Sequence, residues 1–184
     1  MTLTKTPICN FGEKAKNFNL LSTENKKISL DSIKGENGTL VMFICNHCPY
    51  VKAIIKDLVE DVKFLKNLGI KSAGIMSNDV KNYPDDSFEN MISFSKLHNF
   101  SFPYLYDDTQ SVAKEYGAVC TPDFFGYNQN LELQYRGRIR ELKDLKPVEK
   151  GDSDLRKAMS LVAKTGKGPS NQIPSMGCSI KWFK

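Results

Sequence analysis

In the first half of the chain, the spacing of the hydrophobic residues changes at Pro49 from a strand pattern to a helix pattern. Residues 39–44 form an apolar run bounded by turn residues, which predicts a strand buried on both faces. From Pro49 the apolar positions recur at spacings of three and four, which predicts an amphipathic helix that ends at Gly69. The polar positions of this helix are predicted to face solvent: Lys52, Lys56, Glu60, Asp61, Lys63 and Lys66.

The rest of the chain continues to alternate between the two periods. The pattern predicts a strand at 70–76, a helix from Ser87 to about His98, a strand at 102–106, a helix from Asp108 to about Gly117, a hairpin of strands 123–127 and 131–135, and a helix at 155–163. Alternating strands and helices predict an α/β fold with a parallel core sheet, to which the hairpin adds antiparallel edge strands.

Three stretches of this pattern give more specific expectations. In the second helix, Phe88, Met91, Ile92, Phe94 and Leu97 are expected to face inward. Residues 8–39 are expected to be a loosely structured entry, and the tail from Gly166 is expected to be loop-like because it is rich in glycine, proline and serine.

Size and charge narrow the class of protein. A chain of 184 residues, 40% of them hydrophobic, suits one domain over 1–184 with a core of its own. The net charge of +5 is spread without a basic stripe, so nucleic acid is not an expected partner.

The N-terminus lacks the apolar run of a secretory signal, and the longest apolar stretch, 40–45, is too short to span a bilayer. We therefore expect a cytoplasmic protein without a membrane partner.

Five cysteines, at positions 9, 45, 48, 120 and 178, are too few and too scattered for a disulfide scaffold. Cys45 and Cys48 are the close pair, and they fall where the buried strand gives way to the long helix. The N–H groups and the dipole of a helix N-terminus stabilise a thiolate. The spacing therefore predicts redox chemistry or metal binding at this pair.

The position of each sulfur predicts its role. Cys45 at the strand exit is expected to be the exposed attacking thiolate, and Cys48 inside the helix the shielded resolving thiol. The predicted enzyme is a thiol–disulfide oxidoreductase without a cofactor. Its substrates would be protein or low-molecular-weight thiols and disulfides, and a separate reductant could regenerate it.

Motifs spread over most of the chain resemble the thioredoxin superfamily, and within it the redoxin branch of thioredoxin-like and peroxiredoxin-like bacterial proteins. They are Gly12, Ala15, Phe18 and Leu20 at the entry, Cys45-Asn46-His47-Cys48-Pro49-Tyr50-Val51, Thr121-Pro122, and the ending from Pro174 to Trp182. The resemblance implies a thioredoxin-like fold, in which helices flank a central mixed sheet, with an N-terminal extension and a loop-like C-terminal tail.

The same resemblance assigns roles beyond the cysteine pair. It implies that Pro122 is cis and faces the disulfide, and that backbone groups of Thr121 pair with a substrate chain. His47 precedes the second cysteine as in the oxidases and isomerases of the superfamily, and a protonated His47 would stabilise the thiolate. Thioredoxins carry a buried Asp on the strand that enters the motif, whereas this sequence has Met42. The usual internal proton acceptor is therefore expected to be missing.

Two other functions stay open. A thiol peroxidase of the peroxiredoxin type would use Cys48 as its peroxidatic cysteine and have an antioxidant role. Against it, Val41 and Cys45 replace the Pro and Thr of the peroxiredoxin motif, and the expected downstream Arg has no clear match, although Arg136, Arg138 and Arg140 cluster in sequence. A non-enzymatic module would bind Zn²⁺ or another soft metal through Cys45, Cys48 and Cys120, to which His47 or Cys178 could be added.

The remaining cysteines and the second histidine carry weaker expectations. Cys120 is either a buried core cysteine or a thiol that approaches the pair from the Thr121 loop. Cys178 could fold back as a further resolving thiol. Cys9 and His98 are expected to be structural.

Overall fold

The computed structural model describes residues 2–148 and 151–184. Strands and α-helices follow in the order β1 (Leu3–Lys5), β2 (Asn19–Ser22), β3 (Lys27–Ser29), β4 (Gly38–Phe43), α1 (Pro49–Lys66), β5 (Ile70–Met76), α2 (Phe88–Leu97), β6 (Tyr104–Tyr106), α3 (Ser111–Tyr116), β7 (Cys120–Thr121), β8 (Asp123–Tyr127), β9 (Leu133–Tyr135), β10 (Leu142–Lys143), β11 (Lys146–Pro147), α4 (Asp154–Thr165) and β12 (Met176–Ser179). Short 3-10 turns lie at Asp31–Ile33 and Pro84–Asp86.

A seven-stranded mixed sheet organises the chain, with strand order β3-β2-β6-β5-β4-β8-β9. Strands β4, β5 and β6 are parallel, and β8 and β9 add the antiparallel hairpin. The predicted parallel core with antiparallel edge strands is confirmed. All six residues of β4 are buried, as expected for a strand between two neighbours with both faces covered.

Alternate residues of β4 enter two different cores, because side chains alternate between the faces of a strand. Leu40 and Met42 pack with the apolar stripe of α1 and with α4, and Val41 and Phe43 pack with the β2, β3 and α3 side. The strand is thereby held from both faces. This fixes the point at which the chain leaves β4 and enters α1.

Helix α1 begins and ends close to its predicted limits, with Cys48 as its N-cap residue and Pro49 in its first turn. The prediction that Asp61 faces solvent is wrong, because this side chain is 1% exposed. It accepts a hydrogen bond from Arg156 Nε at 2.8 Å and one from Ser153 Oγ, both at the start of α4. The packing of α4 against α1 therefore buries a position that the helical period placed on the polar face.

Two details of the other helices also differ from prediction. Leu97 was expected to face inward but is 73% exposed, since α2 ends at this residue and packs through Met91 and Phe94. Asp108 does not cap α3. The carboxylate of Asp107 instead accepts the N–H groups of Val112 and Ala113 in the first turn of that helix. Ser87 caps α2 as predicted.

The entry and the tail contain more regular structure than the sequence predicted. The entry holds the antiparallel pair β2–β3, which extends the main sheet. The tail, which was expected to be loop-like, also holds the short strand β12. Strand β12 lies between β1 and β7 in a separate three-stranded sheet. Within residues 2–148 and 151–184, no helix combines the length and the apolarity needed to cross a bilayer.

Candidate active site

The two close cysteines lie where β4 ends and α1 begins. Cys45 is 1% exposed and Cys48 is fully buried, and both thiols are free. Cys45 Sγ lies 3.3 Å from Thr121 Oγ1, and Cys48 Sγ lies 3.2 Å from the carbonyl oxygen of Thr121, to which it donates when it is protonated. The expectation of an exposed Cys45 is therefore wrong, because the Thr121 loop packs directly over the pair.

The surroundings favour a thiolate on Cys48. A hydrogen bond from Cys45 lowers the pKa of Cys48 most, burial opposes it, and the backbone N–H of Val51 in the first turn of α1 lowers it further. Together these groups lower the pKa of Cys48 to about 5. The side chain and the backbone N–H of Cys178 act in the same direction.

The surroundings of Cys45 have the opposite effect. Burial raises the pKa of Cys45 most, followed by its hydrogen bond to Cys48 and the negative charge of Asp86. The two pKa shifts run in the direction opposite to the roles expected from the sequence. The N-cap position puts Cys48, and not Cys45, in line with the free N–H groups of the helix.

A buried carboxylate that the sequence analysis missed organises the turn between the cysteines. Asp86 is fully buried and accepts the backbone N–H groups of Asn46 at 2.8 Å and His47 at 3.2 Å. It also accepts from Asn78 Nδ2 at 2.8 Å and lies 2.6 Å from His47 Nδ1. This carboxylate comes from the turn before α2, and it is a buried acid beside the pair although the strand carries Met42.

His47 and Asp86 stabilise each other's charged forms. The hydrogen bond to Asp86 raises the pKa of His47, and burial of the imidazole opposes this. Burial acts to raise the pKa of Asp86, but the hydrogen bonds from His47 and Asn78 outweigh it and the pKa is lowered. His47 also stacks on Tyr83 at 5.8 Å between ring centroids. The positive charge expected on His47 is therefore paired with the Asp86 carboxylate. Of the two cysteines, Cys45 is the one close to Asp86.

The loop opposite the pair is only partly as expected. The peptide bond between Thr121 and Pro122 is cis, as the resemblance implied. The backbone of Thr121 is not open to a substrate chain, however, because Thr121 is paired with Cys178 of β12. The tail of the protein itself occupies the strand position that the resemblance assigned to a substrate.

The other cysteines divide into one that approaches the pair and two that do not. Cys178 hydrogen-bonds to Cys48 through its side chain. Cys120 is fully buried, its Sγ points to the carbonyl oxygen of Pro122 at 3.7 Å, and burial raises its pKa. Burial also raises the pKa of Cys9, to about 11. His98 packs on Phe94 at 4.5 Å between centroids, away from the cysteines.

The arginines that cluster in sequence are engaged in ion pairs elsewhere. Arg136 binds the buried Asp123 at 3.0 Å. Arg138 pairs with Asp154 at 2.8 Å, and Arg140 with Asp57 at 2.9 Å. These contacts link β8, α4 and α1 to the segment that follows β9, so the three arginines have a structural role.

Two further features adjoin the cysteines. A cavity of about 280 Å³ lies beside Pro122, with a mainly apolar wall that includes Tyr50, Ile54 and Met176. Separately, one ligand atom each of Cys45, His47 and Asp86 lie within 4.8 Å of one another. Of the metal ligands proposed from sequence, only Cys45 and His47 belong to this group. Hydrogen bonds already account for the positions of its imidazole and carboxylate.

Comparisons with known proteins agree with this architecture. The AhpC/TSA family model matches residues 11–142. A solved structure described as an uncharacterised conserved protein from Geobacillus kaustophilus is 36% identical, with a TM-score of 0.94 over 100% of this chain and 97% of that chain. A hypothetical protein from Sinorhizobium meliloti is 35% identical, with a TM-score of 0.90 over 98% of each chain.

More distant structures share the fold alone. The thioredoxin domain of a thiol–disulfide oxidoreductase from Bacteroides vulgatus is 16% identical, with a TM-score of 0.58 over 68% of this chain and 86% of that chain. The chain thus has the thioredoxin-like fold that its motifs implied. No curated protein matches it.

Proposed function

Because the chain belongs to the AhpC/TSA family, which gives it a redox role at the level of the family, we propose that it is a thiol–disulfide oxidoreductase that works through Cys45 and Cys48. Cys48 supplies the attacking thiolate, and Cys45 is the resolving thiol. The observation that carries this proposal is the position of Cys48 as N-cap of α1, where hydrogen bonds lower its pKa while burial and Asp86 raise the pKa of Cys45.

The reaction balances as an ordinary exchange. The Cys48 thiolate attacks one sulfur of a substrate disulfide, forms a mixed disulfide and releases the other substrate sulfur, which takes a proton. Cys45 then loses its proton and attacks Cys48 Sγ. This step forms the Cys45–Cys48 disulfide and releases the substrate's second thiol. The substrate is reduced by two electrons, and the cysteine pair is oxidised by two.

Asp86 and His47 serve the resolving step. Cys45 must lose a proton although its burial disfavours the thiolate. The His47 imidazole, whose pKa is raised by its hydrogen bond to Asp86, lies within 4.8 Å of Cys45 Sγ, so its neutral form is placed to receive that proton. The hydrogen bonds of Asp86 to the N–H groups of Asn46 and His47 also hold the turn between the two sulfurs in place.

The substrates we propose are protein or low-molecular-weight disulfides in a reducing compartment such as the cytoplasm. The apolar cavity beside Pro122 adjoins the loop that covers the sulfurs, and it can accept an apolar side chain of a substrate. Since Cys48 is fully buried, the covering loop or strand must move before a disulfide reaches it.

The proposal is tested by trapping the mixed disulfide. The wild-type protein and the variants Cys45→Ser, Cys48→Ser and, as a matched control, Cys120→Ser are treated at neutral pH with glutathione disulfide. The bonds are then mapped by mass spectrometry. We expect oxidation at Cys48 in Cys45→Ser, as a glutathione adduct or as the disulfide that the adjacent Cys178 forms by displacing the glutathione. We expect no adduct at Cys45 in Cys48→Ser, and a Cys45–Cys48 disulfide in the wild type and in Cys120→Ser. An adduct on Cys45 in Cys48→Ser would contradict the proposal, because it would make Cys45 the attacking sulfur.

A peroxidase function is the second candidate, and the low pKa of Cys48 favours it. Cys48 lies at the position that the resemblance aligns with a peroxidatic cysteine, and peroxide also reacts with a thiolate. Against it, the three arginines that follow β9 are paired with Asp123, Asp154 and Asp57. Stoichiometric hydrogen peroxide distinguishes the two functions. An oxidoreductase reacts much faster with a disulfide than with peroxide, whereas a peroxidase gives rapid sulfenic acid on Cys48 in Cys45→Ser.

A further inference from the structure

We propose that Cys178 is a second disulfide partner of Cys48, which takes over the disulfide from Cys45 by internal exchange. The inference rests on the proposed function, since it requires a Cys45–Cys48 disulfide as its starting point. It adds a redox residue on the C-terminal strand, and it makes the exchange a three-sulfur sequence in which Cys48 is the central sulfur.

The fold holds Cys178 next to Cys48 through strand pairing on both sides. In β12, Cys178 pairs with Thr121 of β7 on one edge and with Leu3 of β1 on the other. Thr121 is the residue whose carbonyl oxygen contacts Cys48 Sγ at 3.2 Å. The register that fixes Cys178 against Thr121 therefore also fixes it against the sulfur of Cys48.

Gly177 allows this close approach. A Cβ at position 177 would lie 2.0 Å from the carbonyl oxygen of Thr121 and 3.0 Å from Pro122 Cδ. Any side chain there would force β12 away from the cis-proline loop. The glycine thus lets the backbone of the tail lie directly on the loop that faces the cysteine pair.

The two sulfurs are in direct contact. The side chain and the backbone N–H of Cys178 both hydrogen-bond to Cys48, and Cys45 hydrogen-bonds to Cys48 from the other side. Burial is the main cause that raises the pKa of Cys178, to about 12, so Cys178 is the proton donor in this contact. Cys48 therefore lies between two protonated thiols, either of which can become its disulfide partner.

The exchange step needs no outside oxidant. Cys178 loses its proton and attacks Cys48 Sγ of the Cys45–Cys48 disulfide. The Cys48–Cys178 bond forms as the Cys45–Cys48 bond breaks, and the departing Cys45 sulfur takes the proton. The number of electrons on the protein is unchanged. Only the position of the disulfide changes.

The exchange moves the disulfide to a cysteine that a reducing dithiol can reach more easily. Cys178 is 5% exposed, against 1% for Cys45 and 0% for Cys48. It also lies beside β1, a three-residue strand at the edge of its sheet, in which Leu3 is 52% exposed. Displacement of this short strand uncovers Cys178 more readily than a movement of the core uncovers Cys45.

The test uses the full chain without Cys45. Cys45→Ser and the double variant Cys45→Ser/Cys178→Ser are oxidised with diamide, and their disulfides are mapped. We expect Cys45→Ser to lose two thiols and to yield a Cys48–Cys178 disulfide, and the double variant to yield none at Cys48. In the wild type, the Cys48–Cys178 bond should appear after the Cys45–Cys48 bond. Free Cys48 and Cys178 thiols in oxidised Cys45→Ser, while the wild type still forms Cys45–Cys48, would overturn this inference alone. If no variant forms any disulfide at Cys48, the proposed function fails as well.

A backbone variant tests the geometry without removing a sulfur. Gly177→Ala should reduce the yield of the Cys48–Cys178 bond while the Cys45–Cys48 bond still forms, since the added Cβ meets the Thr121 carbonyl. Ser179→Ala in the same strand is the matched control and should leave both bonds unchanged. An unchanged yield of Cys48–Cys178 in a folded Gly177→Ala protein would contradict the role given to this contact.

Discussion

The sulfurs of the site differ in ionisation because their neighbours differ, although all are buried. Burial alone raises the pKa of a thiol, and this effect dominates at Cys45, Cys120 and Cys178. At Cys48 the hydrogen bonds from Cys45, from the backbone N–H of Val51 at the start of α1 and from Cys178 outweigh burial. The sulfur that we propose as the attacking one is thus distinguished by a helix N-terminus and by neighbouring donors, and not by exposure.

Asp86 is the residue on which we expect a single change to alter both stability and chemistry. Asp86→Asn removes the charge that pairs with His47 and that disfavours a thiolate on Cys45. The pKa of Cys45 should therefore fall. The free energy of unfolding should also fall, by roughly 3 kcal/mol, as is typical when one partner of a buried ion pair is removed.

The loss of stability in Asp86→Asn should depend on pH in a defined direction. The raised pKa of His47 gives stability that is complete below the ordinary value of 6.5 and is lost as pH rises through the folded value. The lowered pKa of Asp86 gives stability that is present above 3.8 and is lost as pH falls through the folded value. Urea unfolding of both proteins should show the largest difference between these two limits. A constant difference up to pH 9 would argue against the ion pair.

At the residue scale, the sequence predicted which cysteines form the close pair, whereas the roles that we propose for them differ from those expected from the sequence. A Cys-x-x-Cys motif at a strand–helix junction is local, and so is its helix dipole. Asp86 lies 40 positions from Asn46, to which it accepts a 2.8 Å hydrogen bond, so no local pattern connects them. The exact N-cap residue, which decides between Cys45 and Cys48, lies within the usual uncertainty of a predicted helix start.

The elements around the site are held by a polar contact between two helices. Asp61 of α1 accepts from Ser153 and Arg156 at the beginning of α4, and Ser153 also caps α4 by accepting the N–H of Arg156 at 2.9 Å. One buried carboxylate thus fixes both the packing and the start of α4. The guanidinium of Arg156 also lies 4.6 Å from the centre of the Phe64 ring on α1.

Asp61→Ala should therefore destabilise the protein more than expected for a residue on the predicted polar face of α1. It removes the acceptor of Arg156 Nε and of Ser153 Oγ, and we expect a loss of about 3 kcal/mol in the free energy of unfolding. Glu60→Ala, one residue earlier on the exposed face, is the control and should change the value by less than about 0.5 kcal/mol. Equal effects of the two substitutions in chemical denaturation would contradict the buried contact.

The elements that the sequence predicted are those with a strong hydrophobic period. Helix α1 and strand β4 have such a period and lie close to their predicted limits. Strands β2, β3 and β12 were missed because they are three or four residues long and only partly apolar, so pairing with distant partners makes them strands. The prediction for Asp61 is wrong because α1 packs on the sheet with one face and is also covered by α4 on another.

For the whole molecule, the ionisation of one buried sulfur makes stability depend on pH. The pKa of Cys48 is lowered from 9.0 to about 5 on folding. A lowered pKa gives stability that is present above the unfolded value and is lost as pH falls through the folded value. The reduced protein should therefore gain stability relative to Cys48→Ala as pH rises from 5 towards 9, by at most about 1.4 kcal/mol per pH unit.

This gain is measured by urea unfolding of the reduced proteins under an excess of reductant. Cys120→Ala is the matched control, because burial raises the pKa of Cys120 and the residue stays a thiol over this range. Its stability difference from the wild type should be flat between pH 5 and 8. A flat difference for Cys48→Ala as well would mean that Cys48 is not a thiolate in the folded protein.

The ionisation of each cysteine, measured separately, tests the central claim most directly. The reduced wild-type protein is alkylated with iodoacetamide across a pH series, and the rate at each of the five cysteines is read by mass spectrometry. The predicted result is a rate at Cys48 that rises with a midpoint near pH 5 and is constant at neutral pH, while Cys45 reacts only at alkaline pH. A Cys45 that titrates at lower pH than Cys48 would contradict the assignment of Cys48 as the attacking sulfur.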